Sequence, residues 1–241
     1  MAFPAHIEQI FLAFGVPSDT KAVLYDLYVS MGEDVLKVFS DIAETVDSPA
    51  TLRPEHCAGI HITLAMSARP NVDGAPTPEE ARALKGIKYY ADWDSGYSKQ
   101  QSTRPQTLGY GLTDSPAGQA AWILEKFWAW TDCDGHPENI LGRDELLDNV
   151  MLYWVTASAA SSARLYWESF GPERRTIHKV AVPTGVAVFP REIVTPVRRW
   201  MEGNFTNIRH WNEMPRGGHF AAFEQPELFV GDVRAFFRPL R

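Results

Sequence analysis

The residue types best placed to do chemistry gather near the end of the chain, in the run Met214-Pro-Arg216-Gly217-Gly218-His219-Phe220-Ala-Ala-Phe-Glu224-Gln-Pro-Glu227-Leu228. A β-type run, Phe205 to Trp211, precedes it, and Glu227 to Phe237 has the apolar spacing of a closing helix. Two glycines let the backbone turn sharply between those elements. His219 is thereby expected on a strand-to-helix loop, at the sheet rim where α/β folds keep their chemistry. An imidazole in that position can act as a general base near neutral pH.

Several separate runs carry a resemblance. Besides Arg216 to Leu228, they are Asp94-Ser-Gly-Tyr97-Ser-Lys-Gln-Gln-Ser-Thr-Arg-Pro-Gln-Thr107, then Leu112-Thr-Asp-Ser115-Pro116 through Phe127, and then Ser161-Ser-Ala-Arg164-Leu-Tyr166-Trp-Glu168. In this order they resemble the microsomal-type epoxide hydrolases, a family of α/β-hydrolase fold. The likeness runs from about Pro54 to Arg241. It implies a partial α/β-hydrolase fold, C-terminal core strands plus a helical cap, preceded by a helical N-terminal segment. The fold places its histidine last in chain order, before a closing helix, and 22 residues follow His219.

The implied reaction adds water to an epoxide and yields a vicinal diol, without cofactor or metal. The resemblance makes His219 the base that activates water and Glu192 the carboxylate that holds its tautomer. It makes Tyr97 and Tyr166 the cap phenols that protonate the epoxide oxygen. Ordinary tyrosine titrates near pH ~10, so a phenol stays protonated and able to donate. The 27 residues from Glu192 to His219 have room for a loop, a helix and a returning strand. Pocket aromatics are expected among Trp93, Trp122, Phe127 and Trp154.

The family's nucleophile is an aspartate on a strained strand-to-helix elbow. Counting back from Pro54, it falls on Ser40 or, with one gap, Asp41, inside a helical repeat without a glycine for the turn. No G-x-D-x-G or G-x-S-x-G occurs. The expectation is therefore an epoxide-hydrolase-like chain with acid and base in place and an impaired first step. The alternative is a ligand-binding or interaction remnant. Fusion, rearrangement and gene-model error would each account for residues 1–50.

The elements that must position these groups follow from periodicity. Residues 1–50 read as helix upon helix, 51–90 as a core strand and lead-in, 91–175 as the helical cap and 176–241 as the C-terminal core. Thr77 is the expected N-cap of a helix from Pro78 to Tyr90, and Ser115 of a helix with Ala117, Ala121, Leu124 and Trp128 on one stripe. Val180 to Gly185 reads as a buried strand ending in a turn. A half sheet leaves unpaired edges, which favours a homo-oligomer or pairing with a complementary hydrolase fragment.

Bulk composition narrows the partners. A net charge of −7 with no basic stripe argues against nucleic acid and leaves a small apolar epoxide as the expected ligand. Cys57 and Cys133 have neither metal-ligand nor disulfide spacing, so both are read as reduced thiols in a cytoplasmic protein, Cys57 buried. No membrane anchor or export signal is recognisable. The loop Asp132 to Asn139 carries carboxylates but is too short for a calcium-binding hand.

Overall fold

A computed structural model describes residues 54–65, 74–170 and 179–240. The expectations for residues 1–50, Ser40 and Asp41 among them, lie outside the described residues. Contacts divide the described chain into two units: 93–170, and 54–65 together with 74–92 and 179–240.

The second unit is built on a parallel sheet. Strand β1, Ile60–Ile62, is buried along its whole length and pairs with β2, Thr184–Val188. On the other side of β2 lies β3, Ile208–Glu213. The central strand is buried at all five positions, as a strand covered on both faces must be. One face packs Ile60, Ile62, Val186 and Val188 with Val180, Val182, Met201 and Phe205. The sequence placed a turn at Gly185, yet Gly185 lies within β2. A side chain there would meet the Phe236 ring at 2.8 Å, so glycine marks close helix–sheet packing.

Helix α1, Pro78–Tyr89, begins as the sequence predicts. Thr77 Oγ1 accepts from the Glu80 N–H at 3.2 Å, while Glu80 accepts from the Thr77 N–H at 2.9 Å. Glu80 is buried, and its Oε1 also accepts from Arg199 and, at 2.9 Å, from Trp200 Nε1.

The other unit is helical: α2 Gly96–Thr103, α3 Pro105–Asp114, α4 Pro116–Trp130, α5 Arg143–Val155 and α6 Ala159–Phe170. Helix α6 packs on α2 and α3, closely enough that a Cβ at Gly109 would lie 2.4 Å from Ala160 Cβ. Ser115 caps α4 by accepting from Gly118 N–H at 3.0 Å, as expected. The inward stripe of α4 differs from the expected one. Gln119, Phe127 and Trp130 are buried, while Ala117, Ala121 and Trp128 are exposed.

The chain then returns to the sheet. After β2 come the short helix α7, Arg198–Met201, strand β3, the four-residue turn of helix α8, Ala221–Glu224, and the closing helix α9, Pro226–Phe237. Helix α9 lies over β2 and β3. Both Glu192 and His219 follow the carboxyl ends of parallel strands, where open α/β sheets bind ligands.

Candidate active site

The loops after β2 and β3 are tied together before any side chain is considered. Arg191 N–H donates to Gly217 O at 3.0 Å, and Arg191 and Gly218 form an isolated parallel bridge beyond the strands. Gly217 makes the turn with φ of +108°, and a Cβ there would lie 2.8 Å from Phe189. Conformation and space both require glycine.

Across these loops His219 Nδ1 lies 2.8 Å from Glu192 Oε1. The histidine side chain is 14 % exposed and that of Glu192 is fully buried. Glu192 Oε1 also accepts from the Ile193 N–H at 2.7 Å. A carboxylate there accepts a hydrogen bond from the tautomer that carries its proton on Nδ1. This is the tautomer a water-activating base requires. Glu192 Oε2 is buried and has no hydrogen-bond partner among the described residues. The Phe220 ring meets the imidazole edge-on, with centroids 4.9 Å apart.

In the helical unit, Tyr97 near the start of α2 and Tyr166 on α6 are brought together, with ring centroids 5.8 Å apart and planes at 79°. Both are half-buried. Trp130 packs edge-on against Tyr97 at 5.0 Å and donates from Nε1 to Asp94 Oδ2 at 2.7 Å. Lys126 Nζ sits 4.3 Å from the Tyr97 ring centroid and 4.8 Å from that of Trp130. The expected pocket aromatics do not behave as a set: Trp93 is 81 % exposed, whereas Phe127 is buried in its helix packing.

A second histidine–carboxylate group was not anticipated from the sequence. Asp232 on α9 accepts from His61 Nε2 on β1 at 2.7 Å, His210 Nε2 on β3 at 2.8 Å and Asn212 Nδ2 at 2.7 Å. Burial pushes the Asp232 carboxyl up, but its three hydrogen bonds outweigh this and hold it below the usual range. Two histidines and a carboxylate could in principle hold a metal. The observed separations are hydrogen-bond lengths, and His61 Nδ1 is buried without a partner among the described residues. A metal on Nε2 would strand a buried Nδ1–H, whereas ligating histidines donate that proton to a neighbour. An open cleft of about 380 Å³, lined in part by His210, Met214, Glu227 and Asp232, lies beside this group.

The cysteines offer no nucleophile. Both are free and buried, and burial pushes the Cys57 thiol up, away from the reactive thiolate. Among the described residues no helix is long and apolar enough to cross a membrane.

No family model matches the chain. A Stigmatella aurantiaca (strain DW4/3-1) protein, itself provisionally assigned as an epoxide hydrolase, is 50% identical over 195 residues, 80% of this chain and 44% of its own length. Epoxide hydrolase 1 of Sus scrofa is 38% identical over 213 residues, covering 78% of this chain and 47% of that protein. The chain thus spans about half the length of the curated relatives it matches. The crystal structure of juvenile hormone epoxide hydrolase from Bombyx mori superposes with a TM-score of 0.70 at 32% identity, over 80% of this chain and 51% of that one. Aspergillus niger epoxide hydrolase gives 0.69 at 28% identity, over 80% and 49%. In sequence and in fold, the matched four fifths of this chain are homologous to epoxide hydrolases of α/β-hydrolase architecture.

Proposed function

We propose that the chain carries the acid–base apparatus of epoxide hydrolysis. His219 is the base that takes a proton from water, and Glu192 holds its tautomer and balances the imidazolium. Tyr97 and Tyr166 donate to the oxygen of a small apolar epoxide, and the product is a vicinal diol. Residues 91–175 act as the cap and 176–241 as the core that bears the base. The observation that carries this reading is the 2.8 Å contact from His219 Nδ1 to a fully buried glutamate at the carboxyl end of a parallel sheet. The tyrosine pair supports it, because the fold brings the two phenol rings together, with centroids 5.8 Å apart.

The complete ester route also needs a carboxylate nucleophile. Asp41 lacks the glycine context of an elbow, so the chain by itself is proposed to retain only slow hydrolysis by water that His219 activates. The deciding experiment is hydrolysis of styrene oxide by the purified chain, by His219→Ala and by Asp41→Ala. Diol above the buffer blank that vanishes only in His219→Ala is the expected result. Loss in both variants would make Asp41 the nucleophile. No diol from any of the three would overturn catalysis.

A second reading, a ligand-binding or assembling remnant, is favoured by one observation. The helical unit exposes Tyr110 at 68 % and Val155 at 67 %, apolar surface suited to a partner such as a second copy or a complementary hydrolase segment.

A further inference from the structure

The loop that bears His219 is held by a carboxylate to which the site described so far gives no role. Glu224, the last residue of α8, is buried and turns back on its own chain. Its Oε2 accepts from the Gly218 N–H at 3.0 Å, and its Oε1 accepts from the Phe220 N–H at 3.1 Å. These two amides bracket His219, one on each side. We propose that Glu224 is a positioning residue for His219: by binding both flanking amides it fixes the backbone from which the imidazole reaches Glu192.

The chemistry requires a carboxylate. The two backbone donors reach different oxygens of the one side chain, and only an ionised acid offers an acceptor at both places. Glutamine of the same shape would satisfy one N–H and turn its own NH₂ towards the other. Gly217, at φ +108°, already sets the entry to this turn, and Arg191 holds its carbonyl. Glu224 fixes the exit. The imidazole is therefore constrained from both directions along the chain while Glu192 constrains it from the side. A side chain that was only a packing element could lose one of these bonds without any consequence at Nδ1.

This role depends on the proposed base function of His219 only for its kinetic effect, so its test uses the resting protein. In the ¹⁵N-labelled chain, the low-field proton on His219 Nδ1 reports the bond to Glu192, and amide exchange at Gly218 and Phe220 reports the bonds to Glu224. Glu224→Gln is expected to speed exchange at one or both amides about tenfold to hundredfold and to broaden or abolish the Nδ1 signal. Glu192→Gln is expected to abolish that signal with both amides at the parent rate. Faster amide exchange with an intact Nδ1 signal would make Glu224 a staple without influence on the base and overturn the proposal. Unchanged amides would overturn it too. Should Glu224→Gln not fold, scalar couplings across the hydrogen bonds from the Gly218 and Phe220 nitrogens to the Glu224 carboxylate carbon are measured in the parent. Their absence overturns the proposal, and styrene oxide turnover still judges His219 separately.

Discussion

Two histidine–carboxylate groups occupy one sheet unit and have opposite designs. At the strand ends, Glu192 receives one histidine and the Ile193 amide on the same oxygen, and its second oxygen has no partner among the described residues. Under α9, Asp232 is engaged on both oxygens by His61, His210 and Asn212, which come from strands on either side of β2. The first group leaves one carboxylate oxygen without a partner among the described residues and a partly exposed imidazole. The second spends its hydrogen-bonding capacity joining a helix to two strands. Residue type does not separate a site from a fastening. Placement at the strand ends and incomplete saturation of the carboxylate do.

The contrast is sharpest if each group is broken in turn. His219→Ala is expected to lower diol formation about 10²–10⁴-fold, the usual worth of a positioned base, with urea stability nearly that of the parent. Equal losses of activity and stability would erase the distinction. Asp232→Ala should show the reverse, destabilising the chain by about 3–5 kcal/mol because buried partners lose their acceptor. Chemical denaturation measures it, and a loss under about 1 kcal/mol would deny Asp232 its fastening role. Gly217→Ala is a smaller and mixed perturbation, expected to cost about 1–3 kcal/mol, since the strained φ and the Phe189 contact both oppose a Cβ.

The smallest effect is a pH dependence. Asp232 has its folded carboxyl below the ordinary value. Its contribution to stability is therefore present above the unfolded pKa of about 3.9 and lost as pH falls through the lower folded value. Asp232→Asn should flatten that acid limb in urea titrations between about pH 5 and 2. A limb as steep as in the parent would assign it to other carboxylates.

Much of the candidate pair was legible in the sequence because it depends on local signals. Gly217-Gly218-His219 announces a turn, Thr77 before Pro78 announces a helix start, and the structure has both. Glu192 was reached through the family likeness, and it lies 2.8 Å from His219 Nδ1. The Asp232 group was not legible, since His61, His210 and Asp232 stand 171 and 22 residues apart in pairs and no local pattern links them. Glu224 lay inside the recognised run without a role, because its partners are backbone amides that any sequence supplies. The stripe of α4 was misread for a similar reason: Gln119 is buried there, a polar residue that periodicity assigns to the outside.

Glu80 has a consequence for how the chain acquires its structure. It closes the capping box of α1 with a neighbour three residues away, and it also receives Arg199 and Trp200 from 119 and 120 residues later. The local bonds can form in the first moments of collapse. The same carboxylate cannot be buried under Val197 and Trp200, which pack with Ala83, Leu84 and Ile87, until Arg199 arrives to neutralise it. Burial of Glu80 against α7 is therefore coupled to closure of a long loop, since its partners lie 119 and 120 residues away. Glu80→Gln, which removes the charge that meets Arg199, should lower stability in urea.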